Sequence, residues 1–156
     1  MQNLICATRQ ANRALNHIAP LVDLLFRIWL ANIFFKAGLT KIASWPSTLF
    51  LFESEYAVPV LSPEIAAYLA TAAELSLPVL LVLGLGTRFA ALALFIFNIV
   101  AVISYPSLNE VGRELHLYWG FMLLALIARG GGFFSLDAWL AHRANKTRVG
   151  ANALAS

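Results

Sequence analysis

Four apolar stretches, at about residues 21–42, 63–85, 88–105 and 111–128, constrain this chain more than anything else in it. Each is long enough, or nearly so, to cross a hydrocarbon core of roughly 30 Å, which takes about 20 helical residues. Inside that core each backbone N–H and C=O must be satisfied without water, so evenly apolar segments of this length are helices. Composition agrees. Hydrophobic residues make up 60% of the 156 and charged residues 12%, against roughly 45–50% and 25% in soluble domains. Mean hydropathy is +0.75. Such a chain is too apolar for disorder and cannot cover its side chains as a water-soluble globule. The expected fold is all-α: one domain, an integral membrane four-helix bundle with short interfacial helices.

Proline and glycine place the cuts. Pro46, Pro59 and Pro63 bracket the first loop, and Gly84-Leu85-Gly86 separates spans two and three. Tyr105-Pro106-Ser107 ends the third span, and Gly130-Gly131-Gly132 ends the fourth. The chain therefore divides into an N-terminal cytoplasmic or interfacial segment (1–19), a four-helix domain (20–140) and a cytoplasmic tail (141–156). Residues 1–19 lack the apolar region and small-residue site of a cleavable signal. Read as a helix, they put Leu4, Ala11, Leu15 and Ile18 on one face and Arg9, Arg13 and His17 on another, which suits a helix lying on lipid headgroups. The connection 44–62 stays apolar through Leu49-Phe50-Leu51-Phe52 and is expected to cap the bundle from the outer interface.

Orientation follows from the cations. Arg9, Arg13, Arg88, Arg129, Arg143, Lys146 and Arg148 fall on the side of the termini, and only Lys41 and Arg113 on the other. Seven against two places both termini in the cytoplasm, in the inner membrane of a bacterium. The dispersed basic residues argue for topology rather than nucleic-acid binding, despite a net charge of +3. One cysteine, Cys6, leaves no internal disulfide and no multi-cysteine metal centre. His17, His116 and His142 have no metal-ligand spacing, so no metal site is expected.

Ionisable groups within spans are costly and mark functional candidates. In span one, Asp23 and Arg27 stand at i, i+4 and are expected to pair. Arg27, Ala31, Gly38 and Lys41 share a face whose small residues suit a close helix contact. Lys36 lies opposite and is expected to snorkel outward. Glu74 is about eleven residues from either end of span two, near the midplane, where a carboxyl must be protonated or paired. Pro78 lacks the N–H that would bond the Glu74 carbonyl. Arg27 is the expected charge partner of Glu74. Asn98 is the polar residue of span three, and His116 lies about a turn inside span four, where it can carry or relay a proton. Arg27, Glu74, Asn98 and His116 thus form the candidate pocket, with Glu74 and His116 as its candidate catalytic groups. Ser135 reads as a helix N-cap, with Asp137 in the first turn on the favourable side of the dipole.

These residues carry a resemblance. Arg27, Ala37-Gly38 and Lys41 are followed by Glu74 with Leu83-Gly84-Leu85-Gly86-Thr87-Arg88, and then by Gly130-Gly131-Gly132-Phe133-Phe134-Ser135-Leu136-Asp137. In that order, across about residues 20–140, they resemble the DoxX family of bacterial four-span membrane proteins. The chain departs from the family's habit at Gly131, often proline there, and at Ser76-Leu77-Pro78, where glycine often follows the glutamate. The resemblance implies a redox or stress-response setting: thiosulfate:quinone oxidoreduction, partnership with thiol and superoxide defence proteins, or company with metal-stress and peptide-modification operons. It implies a context more than a reaction.

Three functions are compatible with this reading. The first is a membrane subunit or accessory of a redox system that holds a quinone between spans, with Glu74 and His116 as proton donors. The chain has no haem ligand pair, flavin fingerprint or cysteine cluster, so electrons come from a membrane or soluble partner or from the substrate. The second is a non-enzymatic scaffold anchoring a partner complex. The third is a small transporter, for which four spans would have to form a homo-oligomer.

Overall fold

The computed structural model describes residues 2–154, and within them the side chains of residues 9, 15, 16, 18–144 and 146. Among the described residues six helices follow one another: α1 (Gln2–Ala43), α2 (Trp45–Ser54), α3 (Pro63–Leu83), α4 (Thr87–Ser104), α5 (Glu110–Arg129) and α6 (Leu136–Leu154). The molecule is all-α among the described residues. Four helical segments are long and apolar enough to cross a membrane: Ile18–Ala43, Pro63–Leu83, Thr87–Ser104 and Glu110–Arg129.

Local chemistry explains the ends. Ser62 caps α3, its hydroxyl accepting from the Ile65 N–H, and Pro63 opens the first turn, where no N–H is needed. Gly84 closes α3 at φ 69°, a left-handed position that glycine adopts without strain. A Cβ there would also come within 2.5 Å of the Arg27 guanidinium and of Ser135. Asn109 caps α5 through Gly112 N–H at 2.7 Å.

The N-terminal segment differs from expectation. It is not a separate interfacial helix but the first part of α1, which runs unbroken through Pro20. Proline removes one helical hydrogen bond, to the carbonyl of Asn16, an exposed residue. Arg9, Leu15 and Ile18 are exposed. The side chains of Leu4, Cys6, Ala11, Arg13, His17 and Arg148 lie outside the described ones, so the proposed two faces of 1–19 rest on sequence. α6 likewise continues through residue 140 without a break.

Helix α1 packs most extensively on α3, and α4 on α5. Lipid offers no hydrophobic drive between helices, so close fit must supply the contact. Gly38 provides it: a Cβ there would meet Leu75 at 2.9 Å and the Glu74 Cβ at 3.1 Å. Ala90, Ala91 and Leu94 of α4 fill the centre with Leu30, Phe34, Leu81, Leu123 and Leu126. Phe34 meets Phe97 and Trp119 edge-on, with ring centroids 6.2 and 6.0 Å apart. A smaller core joins α2 to the first half of α3, with Phe52 against Ala66 and Ala67. Since Gly38 is level with Glu74, α1 ends five residues, roughly 8 Å, beyond that level. Helix α2 covers the bundle there.

Candidate functional site

The four residues expected to share a pocket fall into three separate hydrogen-bonded groups.

The first surrounds Arg27, at the end of the bundle that carries α6. Arg27 is buried, at 1% exposure. Nε donates to the Leu81 carbonyl at 2.7 Å, one amino group to Gly131 and Phe134 carbonyls at 2.9 and 2.7 Å, and the other to the Val82 carbonyl. Leu81 and Val82 lie in the last turn of α3, where carbonyls lack the i+4 partner and the dipole is negative; the Leu81 carbonyl also accepts from the Gly84 N–H at 3.2 Å. A cation is therefore well placed without a carboxylate in contact. This corrects two expectations. Asp23 pairs with Arg129 and not Arg27, at 2.7 and 3.1 Å across a bidentate contact. Arg27 also does not reach Glu74: it lies eleven residues from Gly38, roughly 16 Å along the axis.

The same end holds Asp137. Its carboxylate accepts from Gly86 N–H at 2.8 Å, Thr87 N–H at 3.0 Å and the Thr87 hydroxyl at 3.1 Å. Helix α4 starts at a left-handed Gly86 with no capping side chain of its own, so a residue from α6 supplies the cap. Burial opposes ionisation of Asp137. The Thr87 and Gly86 N–H groups, the Thr87 hydroxyl and the Arg27 charge outweigh it and hold the carboxyl below the usual range. Ser135 caps α6 as expected, accepting from Ala138 N–H at 3.2 Å.

The second group is Glu74 with Lys41. Glu74 is buried at 4% exposure. Lys41 Nζ donates to both carboxylate oxygens, at 2.8 and 2.6 Å. Thr48 of α2 donates to the Lys41 carbonyl at 2.9 Å, closing the pair from above. Among the described residues no side chain takes up the Glu74 carbonyl that Pro78 frees. Lys41 was missed as the partner because its place near the end of span one suggested a surface cation. The shared face of Gly38 and Lys41 was the available signal. Lys36, opposite, is exposed.

The third group is Asn98 with His116, joining α4 to α5. Asn98 Nδ2 donates to the His116 carbonyl at 2.9 Å, and its Oδ1 lies 2.7 Å from His116 Nδ1. A carbonyl can only accept, so the amide orientation is fixed and Nδ1 carries the hydrogen. Nε2 has no protein partner among the described residues. His116 meets Trp119 at a tilt of 60°, with 4.7 Å between centroids. Both Asn98 and His116 line a groove of about 300 Å³ between α4 and α5. Phe95, Ile99, Phe121 and Leu124 make it apolar, and Gly120 and Arg113 complete the lining. This group therefore opens onto an apolar, ligand-sized space.

Among the described residues no three His, Cys, Asp or Glu side chains converge.

The DoxX family model matches residues 22–106, more than half of the chain. That stretch holds Arg27, Gly38, Lys41, Glu74, Gly84, Arg88 and Asn98. A Haemophilus influenzae protein, described as uncharacterized, is 34% identical over 123 residues, which cover 73% of this chain and 80% of that protein. No solved structure matches.

Proposed function

The chain belongs to the DoxX family, and on that premise we propose that it is a membrane subunit of a redox system that holds a quinone between α4 and α5. The observation carrying this reading is the His116–Asn98 couple on the floor of an apolar groove. A quinone needs a slot without water for its ring and tail, and a proton donor or acceptor at its oxygen. Asn98 holds the imidazole by Nδ1, leaving Nε2 for the ligand. Protonated, His116 donates from Nε2 to a quinone carbonyl; neutral, it accepts from a quinol hydroxyl. One fixed ring thus serves both redox states. Phe95, Phe121 and Leu124 line the path of an isoprenoid tail toward the midplane. Glu74 has no part in this, because Lys41 occupies both of its oxygens. The sequence has no cysteine cluster or flavin fingerprint, so on this reading electrons pass to or from a partner protein or come from the substrate directly.

Seven cations on the side of the termini against two opposite support a bacterial inner-membrane protein with both termini cytoplasmic.

Trp119 beside His116 supplies a readout, since quinones quench indole fluorescence. A short-tailed benzoquinone added to the protein in nanodiscs should quench saturably. His116→Phe and Gly120→Leu should each weaken binding at least tenfold, and Lys36→Gln should not. Unchanged affinity in both groove variants, or quenching without saturation, sinks the assignment.

A further inference from the structure

A second depression, of about 520 Å³, opens at the end of the bundle that carries α6, where α4 begins and α5 ends. Its lining is cationic and main-chain: Arg88 from the first turn of α4, Arg129 from the last turn of α5, and Gly130, Gly131 and Gly132 beyond it. Arg88 is exposed and uses one amino group on the Ala128 carbonyl, at 3.1 Å. Arg129 turns Nε and one amino group to Asp23, leaving its other amino group outside that contact. Asp137, the carboxylate of the lining, is filled by Gly86 and Thr87. Gly131 is buried, yet its N–H meets no acceptor among the described residues. Gly131 lines the depression, so an N–H there without a protein acceptor suits an external one.

Two guanidinium groups lining one depression with Gly131 form a donor set for a tetrahedral oxyanion. We propose that this depression binds a phosphate group, carried by an anionic phospholipid of the adjacent leaflet or by a free phosphate. Position favours the lipid source. The depression lies where two spans end, at headgroup depth. Phe89 on its rim is 67% exposed and offers a surface for an acyl chain. The site is distinct from the α4–α5 groove and does not depend on what that groove holds.

The test uses the full chain in detergent, with native mass spectrometry and thermal melting. The probes are phosphatidylglycerol, phosphatidylcholine and inorganic phosphate. Wild type should retain one phosphatidylglycerol in preference to phosphatidylcholine and melt at a higher temperature with it. Arg88→Gln should reduce that retention about tenfold. Lys146→Gln, which removes the same charge from an exposed position on α6, should leave it unchanged. A melting shift with inorganic phosphate, abolished in Arg88→Gln, assigns the site to free phosphate; a shift with phosphatidylglycerol alone assigns it to lipid. Equal loss in the Arg88 and Lys146 variants means general surface charge and overturns the proposal. Should Arg88→Gln not accumulate, wild type still decides: equal retention of both lipids, with no effect of phosphate, overturns it.

Discussion

Glu74 is buried and Lys41 largely so, with side chains 6% and 18% exposed, and their attraction has to offset the desolvation of both charges. A buried pair of this kind adds little net stability over an apolar pair of similar volume, but breaking it leaves one unmatched charge, at a cost of about 3–5 kcal/mol. Glu74→Leu and Lys41→Met should therefore each lower stability by that order in denaturant titrations of detergent-solubilised protein. The double variant should recover most of the loss. Losses that simply add would mean that the two side chains do not share their charge. Arg27 behaves differently, because its partners are main-chain carbonyls that no substitution removes. A change at Arg27 itself, or a side chain added at Gly84 or Gly131, disturbs that group.

Helix α4 begins without a capping side chain of its own, and Asp137 joins it to α6 across the glycine turn. Asp137→Ala should cost about 1–2 kcal/mol, the usual worth of a lost cap. The effect should depend on pH. The folded-state carboxyl is held below its ordinary value, so its contribution is complete above the unfolded value of about 4 and is lost as pH falls through the folded one. Melting curves at pH 7 and pH 3 should show the gap between wild type and Asp137→Ala closing in acid. A gap that widens in acid would mean that the carboxyl stabilises in its protonated form. Helix α2 also acts locally. Through Thr48 and Phe52 it covers the Lys41–Glu74 pair and the first half of α3.

For the whole molecule, the proposed topology has α6 and the Arg27 group on the cytoplasmic side and α2 outside. Reporter fusions after Ser156 and within 107–110 should report opposite compartments; the same compartment for both would mean that the chain does not cross the membrane an odd number of times between them. Much of this architecture is legible in sequence. Length and hydropathy set the number of spans because lipid forces each apolar segment to close its own hydrogen bonds. Gly84, Gly86 and Gly130 mark the turns because each takes a backbone angle that side chains resist. The inward face of α1 shows in the spacing of Arg27, Ala31 and Gly38. Partner choice is a different matter. Glu74 could be seen to need a counter-charge, but Lys41 rather than Arg27 provides it, since the relative height of α1 and α3 is set by how Gly38 seats against Leu75. Asp23 likewise finds Arg129 and Asp137 finds α4, across 106 and 50 residues. Sequence alone determines which groups must be paired, because the penalty for a bare charge in lipid is local. Only the packed bundle decides which groups meet, because that depends on the offset and rotation of helices that no single segment contains.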